Sequence, residues 1–370
     1  DMVDLAHARN QDPNKFLIGI GQAKMSVADQ TQDAVSMGIN ATLRYWNKID
    51  QDKIGLLVFG TESSVDQSKS ASLFVKTALK MKPQVRTFEV KEACFGLTAG
   101  LMIARDFVRV HPEQTAIVIG SDIARYGINT PGEVTQGAGS ISMLVKAEPR
   151  IFSLNDGHSA YSEDINDFWR PNNRATALVE GKYSTQVYLD FFTKTFATYK
   201  EQKNWHTQDF SSIIYHLPFT KQGLKANRLA VENEDEETTK RLMDNFESSK
   251  QLGMNVGNIY TASLYMSLLS LLENAKLAPN SLIGLFSYGS GAMAEFFSGN
   301  TIDGYEKQLD IDGDQKLLSR RRKLSIEEYE RIFTVGLDLP EDGIVLESDE
   351  SAGNWYFAGT ENNVRIYKQK

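Results

Sequence analysis

The stretch IGLLVFG at 54–60 is short and almost entirely apolar, which is typical of a strand buried on both faces of a sheet. A helical pattern follows at 67–81, and CFGLTAGLMIARDFVR at 94–109 has the pattern of a mostly buried helix. Two further strands are predicted at 115–121 (TAIVIGS) and at 139–146 (GSISMLVK). Strands that alternate with longer helices in this way predict an α/β fold.

The second half of the chain repeats this order. A strand is predicted at 211–217, a long apolar helix at 258–273 and another strand at 281–287, which continues into a Gly-rich turn. The similarity between the halves lies in the pattern more than in residue identity. The duplicated order predicts two similar halves.

The two halves are predicted at 1–147 and at 148–370. The second begins with an insertion at 151–210, which is rich in Tyr, Trp, Asn and Asp and is expected to form loops and a helix. The acidic run ENEDEE at 232–237 is typical of a solvated surface between helices. We therefore expect two α/β halves joined through an irregular segment.

Composition excludes several classes of protein. The 370 residues include 48 acidic and 40 basic side chains, so the net charge of −8 does not suit a generally basic nucleic-acid binder. The single cysteine, Cys94, excludes an intramolecular disulfide and a Cys-rich zinc site. No apolar run reaches the length of about 18 to 20 residues that crosses a bilayer, and the first ten residues have no apolar signal-peptide core. We expect a soluble, cytoplasmic protein.

Cys94 lies in KEACFG, between a strand-like run and a helical segment. This position predicts a cysteine at or near a helix N-terminus, where the helix dipole and unpaired N–H groups stabilise a thiolate. Small neighbouring residues would let a ligand approach the backbone closely. The alternative is a buried, inert cysteine. The strand–Cys–helix setting favours a nucleophile.

Two further residues could share a cleft with this cysteine. His216 ends an apolar predicted strand, a common place for a site residue, although a core histidine with a backbone partner fits the segment equally well. Glu62 follows the first predicted strand and is either a structural acid near a helix cap or a general base. Together with Cys94 they could form a nucleophile and its partners.

Three Gly-rich turns, at 136–139, 257–258 and 287–291, lack the spacing of a dinucleotide or Walker motif. They could present backbone N–H groups to a thioester oxygen, or they could simply be tight turns. Lys221 and Lys225 lie four residues apart, so they share one face of a predicted helix. That face could hold a phosphate-bearing ligand, or it could be plain solvated surface.

Taken together, these motifs resemble one family, the hydroxymethylglutaryl-coenzyme A synthases, in particular the bacterial type of the mevalonate pathway. The similarity runs in the family's order across nearly the whole chain. It rests on KFLIGIGQ at 15–22, GTESSVD at 60–66, KEACFG at 91–96, SDIARYG at 121–127, TQGAG at 135–139, DFWRP at 167–171, HLPFTKQGLK at 216–225, GNIYTASLY at 257–265 and LFSYGSGAMAEFF at 285–297.

The resemblance implies a thiolase-like fold of two pseudo-twofold halves in α-β-α-β-α layers, a homodimer, and an acyltransferase that condenses acetyl-CoA with acetoacetyl-CoA. It implies no metal, nicotinamide or flavin, and no nucleic-acid or membrane partner. It places the nucleophile on Cys94, the general acid/base on Glu62 and the cleft histidine on His216. Substrate contacts would fall on Asp12, Tyr126, Thr135, Ser184, Lys221, Lys225, Asn258 and Ser290.

Four alternatives differ in their chemistry. A thiolase ordinarily uses two cysteines, and this chain has only Cys94. An initiating β-ketoacyl synthase uses Cys, His and Asn, and Asn258 could serve, but a decarboxylative condensation has no need of a base such as Glu62. A β-branching synthase that acts on carrier-protein thioesters shares the same catalytic triad. A non-catalytic acyl-CoA-binding paralogue would have no need of that triad.

Overall fold

Two mixed sheets organise the computed structural model, which describes residues 1–335, 343–348 and 353–370. Smaller strands pair at the periphery. The strands in chain order are β1 (Ile54–Gly60), β2 (Arg86–Val90), β3 (Thr115–Ala124), β4 (Gly137–Val145), β5 (Phe152–Leu154), β6 (Ser159–Ser162), β7 (Phe168–Trp169), β8 (Leu178–Val179), β9 (Ser212–Tyr215), β10 (Leu282–Gly289), β11 (Met293–Thr301), β12 (Ile344–Val345), β13 (Trp355–Glu361) and β14 (Val364–Gln369).

Helices cover both faces of these sheets. A short π-helix at Lys15–Ile20 and a 3-10 turn at Tyr260–Ala262 accompany them. The α-helices are α1 (Met2–Ala8), α2 (Ala34–Trp46), α3 (Ala71–Ala78), α4 (Gly96–Val110), α5 (Gly181–Lys203), α6 (Thr220–Ala230), α7 (Glu236–Ser249), α8 (Gln251–Val256), α9 (Ser263–Asn274), α10 (Ile311–Ser319) and α11 (Ile326–Val335).

The two sheets share one topology. In the first, the order is β2-β1-β3-β4, with β1 parallel to β2 and β3, and β4 antiparallel to β3. In the second, β9 is parallel to β10 and β11 is antiparallel to β10, while β5 and β6 both pair with β11. The unit β1–β3–β4 thus recurs as β9–β10–β11. The duplicated pattern predicted for the two halves is confirmed.

Alternating side chains on β1 create the layers. Leu56 and Val58 belong to a central apolar cluster with residues of α4 and α9, because successive strand residues face opposite sides of a sheet. Leu57 and Phe59 belong instead to an outer cluster with residues of α2 and α3. Both faces of β1 are therefore buried, as the apolar run predicts.

The second sheet is covered in the same way. Its inner residues, among them Ile283 and Leu285, join the cluster around α4 and α9, whereas Tyr215 and Phe286 join an outer cluster with α5, α6 and α7. Two central helices between two sheets, with helices outside each, give five layers. The predicted α-β-α-β-α arrangement is confirmed.

Some boundaries differ from the predicted ones. The helix predicted at 67–81 is shorter, Ala71–Ala78, because Asp66 accepts hydrogen bonds from the backbone of Ser68 and Lys69 and holds a turn there. The helix predicted at 94–109 begins at Gly96, so that Cys94 lies just outside it. The strand at 54–60 has the predicted bounds.

A C-terminal hairpin, β13–β14, packs onto α2. Asn40 of α2 exchanges two hydrogen bonds with the backbone of Trp355, at 2.8 and 2.9 Å. Arg365 and the Tyr367 hydroxyl both bind Asp33, the residue that caps α2. This hairpin therefore extends the core of the N-terminal side, while the division into 1–147 and 148–370 stays a prediction.

Along the ranges that the structure describes, no helix is both long enough and apolar enough to cross a bilayer.

Candidate active site

Glu62 and Cys94 follow neighbouring parallel strands. Gly60, which ends β1, pairs with Val90, which ends β2, so the segments after the two strands leave the sheet side by side. A Cβ at Gly60 would lie 2.6 Å from the backbone nitrogen of Leu97, so only glycine lets the start of α4 approach β1 this closely. The Cys94 thiol donates a hydrogen bond to Glu62 Oε1 over 3.0 Å. The sequence-predicted nucleophile and acid/base are thus in direct contact.

The loop that carries Glu62 is held by a buried carboxylate, Asp122. Its Oδ1 accepts from the hydroxyl of Thr61 at 2.8 Å, from the backbone of Glu62 at 2.7 Å and from the hydroxyl of Ser63 at 2.9 Å. Its Oδ2 accepts from the hydroxyl of Thr261 at 2.5 Å, immediately before α9. Asp122 therefore ties the Glu62 loop to the C-terminal half of the chain.

Burial raises the pKa of Glu62 to about 8, and the nearby Asp122 carboxylate adds to this shift. Burial likewise raises the pKa of the Cys94 thiol well above its usual range, and Glu62 raises it further. Only 8% of Cys94 is exposed. The resting cysteine is therefore a thiol hydrogen-bonded to a carboxyl group.

This finding corrects the expectation of a thiolate stabilised by a helix N-terminus. Cys94 lies two residues before α4 begins, and carboxylates surround it. A helix N-terminus stabilises an exposed anion by about 0.3–1 kcal/mol. Burial can shift a pKa by about 3–5 units, each worth about 1.4 kcal/mol. Desolvation outweighs the dipole, so a base must remove the thiol proton, and Glu62 is in place to do so.

The pair predicts how alkylation of Cys94 depends on pH. Below about pH 8 the Glu62 carboxyl is mostly protonated and accepts no proton, whereas above it the carboxylate can take the thiol proton. We expect iodoacetamide to alkylate Cys94 faster as the pH rises through about 8. The rate is measured by quenching the reaction at set times and determining the mass of the protein. In Glu62→Gln, the rise in alkylation rate near pH 8 should be absent. A rate that does not change through this range would contradict the coupling.

Three aromatic rings form one side of the site beside Glu62 and Cys94, and we call them the aromatic wall. Tyr126, Phe168 and Tyr260 contact one another edge to face, with ring centroids 5.8 to 6.0 Å apart. Phe168 and Tyr260 belong to the same buried cluster as Cys94. Burial raises the pKa of Tyr126, and both Cys94 and Glu62 raise it further, as expected for a hydroxyl that faces the catalytic pair. Asn258 Nδ2 donates to that hydroxyl over 3.1 Å.

A second buried carboxylate, Asp167, joins three segments of the chain. It accepts from the hydroxyl of Tyr288 at 2.6 Å, from the backbone of Gly291 at 2.8 Å and from the hydroxyl of Ser184 at 3.1 Å. The Gly-rich turn at 287–291 is thereby joined to the first turn of α5. A Cβ at Gly289 would lie 2.6 Å from the carbonyl oxygen of Glu92, so this turn also packs closely on the Cys94 loop.

His216 directly follows β9, at its carboxyl end. Its backbone N–H donates to Phe286 and its carbonyl accepts from Tyr188, so the main chain is fixed. The side chain is 2% exposed, and burial lowers its pKa to about 3, which leaves the imidazole neutral. Within the described ranges its Nδ1 atom has no hydrogen-bond partner, and no hydrogen bond joins it to Glu62 or Cys94.

The remaining predicted contacts are more dispersed. Thr135 is buried, and its carbonyl accepts from the backbone of Asn258. Lys221 and Lys225 lie on α6, which confirms the predicted helix, with Lys221 partly buried and Lys225 exposed. Asp12 is exposed before the π-helix, and Ser290 follows β10.

Three residues of this centre were not singled out from the sequence. Asp122 lies near the carboxyl end of the apolar strand β3, and a carboxylate in such a position is a usable signal. Asp167 and Arg170 lie in DFWRP at 167–171, one of the motifs of the resemblance, but no local pattern in this segment distinguishes them. The Arg170 guanidinium donates to the carbonyl oxygen of Glu62.

Comparison with known proteins places this geometry in a family. Residues 1–149 match the hydroxymethylglutaryl-coenzyme A synthase N-terminal family model, and residues 229–336 match its C-terminal model. The chain is 41% identical to the hydroxymethylglutaryl-CoA synthase of Enterococcus faecalis over 369 residues, which cover 100% of this chain and 95% of that protein.

Two further proteins are also similar. A solved HMG-CoA synthase complexed with CoA superposes with a TM-score of 0.95 at 42% identity, covering 100% of this chain and 96% of that one. The polyketide biosynthesis 3-hydroxy-3-methylglutaryl-ACP synthase PksG of Bacillus subtilis is 33% identical over 90% of this chain and 84% of its own. The chain belongs to the hydroxymethylglutaryl-CoA synthase family of acyltransferases, and its fold is thiolase-like.

Proposed function

We propose that the chain condenses acetyl-CoA with acetoacetyl-CoA and water to give 3-hydroxy-3-methylglutaryl-CoA and CoA, through an acetyl-Cys94 intermediate. One observation carries the proposal. The Cys94 thiol and the Glu62 carboxyl form a buried pair joined by a 3.0 Å hydrogen bond. Such a pair supplies both a nucleophile and the base that condensation needs.

In the first step, Glu62 takes the proton of the Cys94 thiol. The thiolate attacks the acetyl carbonyl, the C–S bond to CoA breaks, and the proton leaves with CoA as its thiol. The raised pKa of Glu62, about 8, suits a group that must both take and return a proton near neutral pH. The product of this step is an acetyl thioester on Cys94.

In the second step, Glu62 removes a proton from the methyl group of acetyl-Cys94. The enolate attacks the ketone carbon of acetoacetyl-CoA, and the new alkoxide receives a proton to become the tertiary hydroxyl. Water then hydrolyses the thioester to Cys94, which releases 3-hydroxy-3-methylglutaryl-CoA and restores the thiol. No step of this sequence calls for a metal, a nicotinamide or a flavin.

His216 is proposed to orient the acceptor. Its imidazole is neutral because burial lowers its pKa to about 3, so it acts as a hydrogen-bonding group and not as a cation. A buried nitrogen without a partner is costly, typically about 1–3 kcal/mol. The Nδ1 atom lacks a partner among the described residues, and a bound substrate would supply one.

Lys221 and Lys225 are proposed to bind the phosphates of CoA from one face of α6. Changing either to Ala should raise KM for the CoA substrates by roughly tenfold with little change in kcat, since a hydrogen bond to a charged group is lost. The effect should shrink as ionic strength rises. Steady-state kinetics at two salt concentrations test this, with Lys240→Ala on α7 as the control. A fall in kcat with KM unchanged would contradict the placement.

The remaining substrate contacts are proposed to be Asp12, Tyr126, Thr135, Ser184, Asn258 and Ser290. A homodimer and a cytoplasmic location complete the proposal. Light scattering tests the dimer. The reduced thiol that the chemistry needs fits a reducing compartment.

Product identification tests the function. The protein is supplied with acetyl-CoA and with either acetoacetyl-CoA or acetoacetyl carrier protein. The products are separated by chromatography and identified by mass spectrometry. We expect 3-hydroxy-3-methylglutaryl-CoA to form efficiently. Turnover of the carrier-protein thioester alone would overturn the choice of acceptor, and acetylation without condensation would overturn the proposed reaction.

A further inference from the structure

Glu133 is a buried carboxylate outside the catalytic pair, and its hydrogen-bonding capacity is filled. Arg9 binds it through two parallel bonds, from Nε at 2.9 Å and from Nη2 at 2.8 Å. The backbone of Asn129 donates to Oε2 at 3.0 Å, and the Tyr329 hydroxyl donates to Oε1 at 3.0 Å. Glu133 thereby joins α1 and α11 to the loop that follows β3.

The Tyr329 hydroxyl also accepts a hydrogen bond, from Gln136 Nε2 at 2.8 Å. Because its single proton goes to Glu133, this hydroxyl can only accept from Gln136. The Gln136 amide is therefore held in one orientation, with Nε2 toward Tyr329 and Oε1 on the other side. That Oε1 accepts from the backbone of Tyr126 at 2.8 Å and of Gly127 at 3.2 Å.

The chain of bonds ends at the aromatic wall of the active site. Gln136 holds the backbone of Tyr126, and Asn258 donates to its hydroxyl. The Asn258 amide is itself oriented, because its Oδ1 accepts from the backbone of Tyr260 and from the hydroxyl of Ser263, both at 2.9 Å. Tyr126 is thus fixed at its backbone by Gln136 and at its hydroxyl by Asn258.

We infer that Gln136 and Tyr329 are positioning residues, which hold Tyr126 against the Cys94–Glu62 pair through an oriented hydrogen-bond chain anchored on Glu133 and Arg9. This inference rests on the proposed function, because the kinetic tests of it measure the rate of the proposed condensation. Tyr329 lies on α11, far along the sequence from the catalytic residues, and touches neither Cys94 nor Glu62 by a hydrogen bond in the described ranges. It acts only through Gln136 and the Tyr126 backbone.

Tyr329→Phe tests the chain because it keeps the ring and removes the hydroxyl. Gln136 Nε2 then has no acceptor there, and its amide is free to turn away from the Tyr126 backbone. We expect kcat for condensation to fall by about tenfold, since small displacements of a group at the reacting centre are costly. KM for acetyl-CoA should stay within about twofold, because Tyr126 is only one of the proposed substrate contacts and Lys221 and Lys225 are unaffected. Gln136→Met, which keeps length and removes all three side-chain hydrogen bonds, should reproduce this loss.

Glu330→Gln is the matched control. Glu330 neighbours Tyr329 on α11 and pairs with Arg9 over 2.7 Å, outside the chain of bonds that reaches Tyr126. This variant removes an ion pair of the same arginine and should keep wild-type kcat. Thermal melts show that each protein is folded at the assay temperature.

A double-mutant cycle distinguishes positioning from general damage. If Tyr329 acts through Gln136, then Gln136→Met/Tyr329→Phe should be no slower than Gln136→Met alone, whereas independent defects multiply. Multiplying losses, or a wild-type kcat in Tyr329→Phe, would overturn the inference.

A readout without substrate separates this inference from the proposed function. Displacing Tyr126 opens the wall beside Cys94, so Tyr329→Phe should speed iodoacetamide alkylation roughly threefold, while Glu330→Gln should not. Unchanged alkylation in Tyr329→Phe would count against the positioning chain. A wild-type protein that forms no product would refute the proposed reaction, while the alkylation comparison still decides the role of Tyr329.

Discussion

Glu62→Gln should lower the rate of condensation by about 10⁴-fold or more, the upper end of what a positioned general base contributes. The methyl group of an acetyl thioester is a weak carbon acid, and the aromatic wall leaves little room for water to replace the carboxylate. Gln keeps the size of Glu62 and can still accept a hydrogen bond from the Cys94 thiol, so the fold should survive. The backbone bond from Glu62 to Asp122 is unaffected by the change.

Acetyl transfer should also slow in this variant, by about 10²-fold. From the sequence alone, this half-reaction is expected to depend little on Glu62. The structure revises that expectation, because the thiol donates directly to Glu62 and its own pKa is raised. Two effects oppose each other in the variant. The base is lost, but the thiol is also relieved of a carboxylate that disfavours its ionisation.

Acetyl-enzyme is followed by intact mass, and product by chromatography. Glu92→Gln is the matched control, since Glu92 lies two residues before Cys94, is only partly buried and makes no side-chain bond to the thiol in the described ranges. It should retain activity within about threefold of wild type. Near-normal condensation in Glu62→Gln would remove Glu62 from the mechanism.

Cys94→Ser should abolish turnover, with a loss of about 10⁴-fold or more, comparable to removing the nucleophile of other covalent enzymes. A serine hydroxyl at this position can still donate to Glu62, so folding should be preserved. A neutral hydroxyl is a far weaker nucleophile than a thiolate, and neither acetyl-enzyme nor product should accumulate. Turnover in this variant at more than about 1% of the wild-type rate would show that catalysis bypasses Cys94.

Local patterns in the sequence predict the framework well. The apolar run at 54–60 marks β1 to the residue, and the repeated strand–helix–strand order identifies two similar halves. The spacing of Lys221 and Lys225 places them on one helix. These features depend on the periodicity of burial within short segments, which a sequence shows directly.

The electrostatics of the centre depend on long-range contacts that no local pattern shows. Asp122 reaches Thr261, 139 residues away, and Gln136 reaches Tyr329, 193 residues away. The state of Cys94 follows from the same kind of contact, because the strand–Cys–helix setting predicts a thiolate whereas burial beside Glu62 keeps a thiol. The residue types and their order in the sequence are sufficient to propose that Glu62 and Cys94 form a pair. The protonation state of the pair depends on its burial, which only the folded structure shows.

In the proposed reaction, one acetyl group is carried by Cys94 on its way from acetyl-CoA to the product. The direct test is the intact mass of the protein after mixing with acetyl-CoA, followed by addition of acetoacetyl-CoA, with peptide mapping of the modified residue. We expect a gain of one acetyl group on Cys94, followed by its loss as 3-hydroxy-3-methylglutaryl-CoA appears. Product formed without acetylation of Cys94, or an acetyl group that persists when acetoacetyl-CoA is present, would contradict it.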